Sequence, residues 1–269
     1  MSAFVNHFSF EFRSGIRNKT LLLMNYLLPL GFFAMMGLVM TKEVNPGFID
    51  TMIPSMVVFA VLGSTLLGLP DPLVAAREAG IFRSYKINGI PALSILVVPA
   101  LTTIIHMIIA ATIITVTAPL FFNAPQVANW PGFVLSFFTL AWAYAGLGLL
   151  IGVISANTRI TVLWAQLVFL PSILLSGMML PFNMLPEGVA RAARLLPAAH
   201  GMNAFRALAL DLKADFDPTG SLAVLLAGGA AAFGLAIYLF NWDSKNTTRR
   251  AHPALALLVL VPYIAGILF

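Results

Sequence analysis

The chain alternates between long charge-free apolar runs and short clusters of polar or basic residues. A helix needs about 20 apolar residues to cross a hydrocarbon core of roughly 30 Å, so each long run is a candidate span. Residues 20–41 and 51–70 form two such runs. Residues 87–158 contain no Asp, Glu, Lys or Arg, and Asn123, Pro125, Gln126, Asn129, Pro131 and Gly132 break them. This pattern predicts a helical hairpin, 93–122 and 132–155, around a polar turn. Further spans are expected at 160–180 and 218–242. The apolar stretch 253–269 is read as an additional hydrophobic helix, either a seventh crossing or an interfacial segment. The predicted fold class is an all-α integral membrane protein with six transmembrane helices.

Two amphipathic regions flank these spans. Phe4, Phe8, Phe12 and Ile16 recur every four residues and mark one stripe of a helix, with Asn6, Arg13 and Arg17 elsewhere on its surface. That suits an interfacial N-terminal helix over 1–19, or a short helix packed on the protein itself. Between the fifth and sixth spans, Pro181, Pro186 and Pro197 punctuate segments too short to cross, predicting re-entrant or interfacial helices over about 181–212. The expected organisation is the N-terminal helix 1–19, six spans over 20–242, then a basic linker and hydrophobic segment over 243–269.

Composition agrees with this picture and narrows the function. Hydrophobic residues make up 60% of the 269 and charged residues 9%, against roughly 25% charged in soluble domains. The net charge of +5 is read as loop asymmetry and not as a nucleic-acid surface. With the N-terminus inside, the inner segments carry ten bases and four acids, net +6, and the outer segments five bases and six acids, net −1. The basic excess selects a cytoplasmic N-terminus. Outer Arg191, Arg194 and Arg206 run against that rule, which points to salt links with Glu187 or Asp211, or to contacts with headgroups or cargo. With no cysteine in the chain, disulfides and thiolate sites are excluded.

Candidate chemistry is sparse. No phosphate-binding Gly-Lys-Ser/Thr loop, zinc-binding His-Glu-x-x-His or intramembrane carboxylate pair occurs, so no catalytic residue, metal or cofactor is assigned. His106 is the one titratable side chain expected within the spans, as a proton relay, a ligand contact or a structural residue. The loop after the second span, about 72–91, holds Arg77, Glu78, Gly80, Arg83 and Lys86 before Pro91, and suits a short cytoplasmic helix that docks on a partner. Small residues recur at helix-packing spacing in span four (Gly148, Gly152) and span six (Ala223, Ala227, Ala231, with Ala230 and Gly234), for packing within one subunit or dimerisation. Phe32, Phe33, Phe59, Met35, Met36, Met178 and Met179 make the spans rich in soft and aromatic groups, or serve as lipid-facing packing.

Taken in order, the flat N-terminal helix, Arg77-Glu78-x-Gly80 followed by Pro91, the six spans, and Ser176-Gly177 to Pro181 followed by Leu-Pro pairs and Arg206 resemble the membrane-spanning subunits of type-2 ATP-binding-cassette (ABC-2) exporters. Tyr85 departs from the aliphatic residue common in that family. The resemblance implies a permease that pairs with a second permease, identical or different, in a bacterial or archaeal cytoplasmic membrane. It implies a separate cytoplasmic ATPase that binds ATP and Mg and docks at Arg77, Glu78, Gly80, Arg83 and Lys86. It places a translocation path or outer gate near Ser176, Gly177, Pro181 and Arg206. The cargo expected is a hydrophobic drug, antibiotic, lipid or lipid-linked compound. The alternative is an ion-coupled carrier or channel with no partner ATPase.

Overall fold

A computed structural model describes residues 2–41, 43–242 and 251–267. Among the described residues the structure is helical and contains no strand, and six helices are long and apolar enough to cross a membrane: Lys19–Val39, Met52–Glu78, Ala92–Phe122, Trp130–Ile154, Thr158–Leu175 and Pro218–Leu239. The all-α architecture read from the apolar runs is therefore the observed one. Span two lies at the centre, with 94% of its apolar window buried, and span five lies at the rim, with 22%. Basic residues at 245, 249 and 250 and the acid at 243, all counted on the inner side, lie outside the described residues, as does Lys42 of the outer count.

Span ends follow local chemistry. Asn18, Asn129, Asn157 and Asp217 cap the starts of spans one, four, five and six by accepting from backbone N–H groups that the helix leaves unpaired. Span five stops at Leu175, five residues short of the expected 180, because Gly177 takes a left-handed φ of 87°. Span two runs in the other direction, to Glu78 instead of 70. Pro70 does not end it because the preceding turn, Gly63–Gly68, is a π-helix. Wider hydrogen-bond spacing there tolerates the missing proline N–H. Span one repeats the device: its π-turn Leu23–Leu27 precedes Pro29. The two widened turns face each other, and a Cβ on Gly63 would meet Leu28 at 3.2 Å and the Met24 carbonyl at 3.5 Å.

Glycines fasten span four inside the subunit. A Cβ on Gly148 would stand 2.3 Å from the Thr65 carbonyl oxygen, and one on Gly152 would stand 2.8 Å from Leu73. Both therefore mark close approach to span two. In span six it is Gly228, Gly229 and Ala232 that are buried, while Ala223, Ala227, Ala230 and Gly234 face outward.

The N-terminal helix Ser2–Arg17 packs on span three. Phe12 turns inward and stacks on His106, whereas Ile16 is exposed; Phe4 lies outside the described side chains. At the other end of the chain, Pro253–Leu260 is a 3-10 helix continued by the α-helix Val261–Gly266. Ala256 and Val259 join the apolar cluster that contains Ala236, Tyr263 lies against Gly228, and Gly266 lies against Val224 and His200. The segment thus runs antiparallel along span six. At about 2.0 Å per 3-10 residue and 1.5 Å per α residue, its fourteen residues cover about 25 Å.

Candidate functional site

At the end of the bundle reached by span two, sequence and structure divide the predicted residues into two groups. Arg77 and Glu78 are not on a separate loop helix; they form the last turn of span two. Gly80, at φ 74°, reverses the chain into a short helix, Ile81–Ile87, and Gly89, at φ 73°, returns it to Pro91 at the head of span three. Left-handed backbone at both turns is where glycine costs least. Arg77 points inward and is 7% exposed. Its guanidinium donates to the Val153 carbonyl at 2.8 Å and to the Ser155 carbonyl. These are terminal acceptors of span four, at the negative end of its helix dipole. Arg77 therefore ties spans two and four together, while Glu78, Arg83 and Lys86 are exposed and Phe82 anchors the short helix beneath them.

His106 sits above this turn, in span three. Its Nδ1 shares a 2.6 Å hydrogen bond with the Tyr26 hydroxyl, and its ring stacks on Phe12 at 5.5 Å and meets Tyr26 edge-on. The imidazole lines a cavity of about 480 Å³ enclosed by the N-terminal helix, spans one to three and the short helix. Asn25, on the π-turn of span one, lines the same cavity; it is 4% exposed and its Oδ1 has no hydrogen-bond partner. Neither Asn25 nor Tyr26 stood out in the sequence, although a polar residue within a charge-free run was the available signal.

The opposite end brings together three of the four residues expected there. Gly177, Pro181 and Arg206 line a pocket of about 150 Å³ with Asn45, Thr51 and Asn183. Ser176, 1% exposed and with Oγ unpartnered, is buried behind it. The arginines at this end are held. Arg206 pairs with Asp215 at 2.8 Å and not with Asp211, which sits in a left-handed turn (φ 57°). Arg191 pairs with Glu187 one helical turn away, and Arg194 covers the Phe216 ring at 4.6 Å.

Beneath them, the buried Tyr144 of span four accepts from the Ala198 N–H at 3.0 Å and shares a hydrogen bond with Ser172 of span five at 3.1 Å. His200 donates from Nε2 to the Arg194 carbonyl at 2.8 Å. Its buried Nδ1 is without a partner, which fits a neutral ring. Burial pushes its pKa down to about 4, the hydrogen bond to Arg194 opposing the shift and the charge of Arg194 adding to it.

Six apolar spans joined by compact turns define a multi-pass, all-α membrane protein. A family model described as ABC-2 type transporter matches residues 4–210. The chain belongs to that family and is an ABC transporter permease, whose class implies a partner ABC ATPase. Comparison with curated proteins and with solved structures gives no match.

Proposed function

We propose that the chain is one of two permease subunits of an ATP-driven exporter, powered by a separately encoded ATPase that docks on the helix Ile81–Ile87. The single observation behind this reading is the mounting of that helix. Gly80 and Gly89 set it across the end of the most buried span, Phe82 fixes its inner face, and Glu78, Arg83 and Lys86 are turned outward. Force applied there passes into span two and, through Arg77, into span four. In this reading ATP and Mg belong to the ATPase, and this end faces the cytoplasm of a bacterial or archaeal cell, in keeping with the basic excess of its loops.

A hydrophobic drug, antibiotic, lipid or lipid-linked compound is the cargo class in this reading. Phe32 stacks on Phe59 at 4.2 Å and Phe59 lies 5.9 Å from Phe169. These rings line an apolar groove of about 470 Å³ between spans one, two and five, with Met35 at its edge. Gly177, Pro181 and Arg206 would form the outer gate, with Ser176 behind them.

The test is co-purification and transport with the ATPase encoded beside this chain, against a cargo panel. Glu78→Ala and Lys86→Ala should each weaken association tenfold or more and reduce transport while the protein remains folded. Transport by the chain without any ATPase would overturn the reading and favour an ion-coupled carrier instead.

A further inference from the structure

Spans one and two differ from the other four in one respect. Among the described residues they are the spans interrupted by a π-turn, Leu23–Leu27 in one and Gly63–Gly68 in the other. Each turn is followed within two residues by a proline, Pro29 or Pro70. Proline alone does not demand the wider turn, because Pro99, Pro119 and Pro171 sit inside the unbroken α-helices of spans three and five. The two turns pack on each other. At their contact a Cβ on Gly68 would stand 3.5 Å from both the Met24 Cβ and Asn25 Oδ1, and one on Gly63 would stand 3.5 Å from the Met24 carbonyl oxygen. Each turn also buries a side-chain polar atom that has no hydrogen-bond partner, Oδ1 of Asn25 on span one and Oγ of Ser64 on span two.

A π-turn stretches the helix hydrogen bond to the fifth residue, as the Leu28 N–H does to the Leu23 carbonyl, and a proline just beyond it withholds a further donor. Helices bend at such places. Buried polar groups without partners are rare, and each costs stability. The two turns are therefore the weakest level of two otherwise regular spans. Because they touch, a bend at one displaces the other.

We infer that the paired π-turns form a single hinge about which spans one and two bend together, and that Asn25 keeps it soft because its Oδ1 has no donor in the present arrangement. Beyond the hinge, the part of span two over Pro70–Glu78 carries Arg77, Glu78 and then the short helix Ile81–Ile87. On the same side of the hinge, Lys19–Leu22 of span one joins the N-terminal helix. On the exporter reading, on which this consequence alone rests, a push on the short helix turns both segments as one.

The hinge belongs to one chain, so the test uses the full-length protein in nanodiscs, with no ATPase and no nucleotide, and reads amide hydrogen exchange and thermal melting. Residues 22–30 and 62–70 should exchange at least about tenfold faster than residues 144–152 of span four, which pack against the same level of span two. Gly68→Ser brings a hydroxyl within reach of Asn25 Oδ1, and Gly68→Ala fills the same space without one. The serine variant should melt about 2 °C or more above the alanine variant. Its exchange should slow about fivefold or more at both turns, although only span two is altered. In an Asn25→Leu background the advantage of serine over alanine should be lost. Slowing confined to residues 62–70, equal melting of the two Gly68 variants, or an advantage that survives Asn25→Leu would overturn the inference. So would turns that exchange no faster than span four. None of these results bears on whether an ATPase docks at Ile81–Ile87, so the hinge and the exporter reading fail separately.

Discussion

The two ends of the bundle treat their charged residues in opposite ways. At the end that holds Pro181 and Arg206, each arginine is engaged locally: Arg206 with Asp215, Arg191 with Glu187, Arg194 with the face of Phe216. At the other end one arginine, Arg77, is withdrawn into the protein, and the exposed Glu78, Arg83 and Lys86 are left on and beside a short helix. One end closes on itself. The other separates a structural cation from a set of side chains presented outward. The difference teaches that a basic loop in a permease is not one functional unit, and it ranks substitutions by what each side chain holds.

The largest stability effect is expected at Arg77. Arg77→Ala removes both donors to the terminal carbonyls of span four and leaves them buried, at a cost of about 3 kcal/mol. Arg77→Lys should recover only part of this, because one ammonium does not reproduce the guanidinium fork. Thermal melting in detergent reads both. An Arg77→Ala protein as stable as wild type would break the division between the two groups.

Acid should act next, and at the opposite end. His200 has its pKa depressed from 6.5 to about 4 in the folded protein, so the unfolded chain binds the proton more readily between those values. Its contribution is complete above pH 6.5 and is lost as pH falls through 6.5 toward 4, by about 2 kcal/mol at pH 5. His200→Gln should flatten that part of the melting-temperature profile. An unchanged slope would show that His200 is not the group responsible.

A smaller loss is expected for Tyr144→Phe, which deletes the hydroxyl that joins span four to Ser172 and to the Ala198 N–H. About 1 to 2 kcal/mol is the expected cost, and the loss should be largest in protease protection of the segment after span five. Uniform loosening of the whole bundle would mean that this hydroxyl does not serve that end of the bundle in particular.

These contrasts explain which features the sequence exposed. Span positions were legible because apolar length is a direct consequence of membrane thickness. The starts were legible too, since Asn and Asp caps and prolines declare them locally, as at Asp217-Pro218. Two span ends were not. The charge-free run stops at Pro70, before Asp71, but the helix continues past both, and the π-turn before Pro70 is a response to packing against span one. The direction of Arg77 depends on Val153, 76 residues away, and no local pattern encodes that. Asn25 illustrates the same limit: its type is visible in the run, but its isolation is a property of the neighbouring helices. The pocket at Gly177, Pro181 and Arg206 was legible as a neighbourhood, whereas Asn45 and Asn183 join it only through the fold.

The smallest stability effect, and the one that most sharpens the comparison, belongs to Glu78 and Lys86. Both are exposed. Among the described residues Lys86 has a distant aromatic neighbour, its ammonium 6.0 Å from the Trp242 ring centre, and exposed contacts of this kind contribute little to folding. Glu78→Ala and Lys86→Ala should therefore each shift stability by less than about 0.5 kcal/mol. If this face meets an ATPase, the same substitutions weaken that association tenfold or more, as loss of a charge from a desolvated contact does. Arg77→Ala should show the reverse balance, with a large loss of stability and a weaker association only to the extent that the short helix is displaced. Measuring melting temperature and ATPase binding on the same three variants places each on one side of the division. A Glu78→Ala protein that melts early but still binds would mean that the outward face of this helix serves the fold and not a partner.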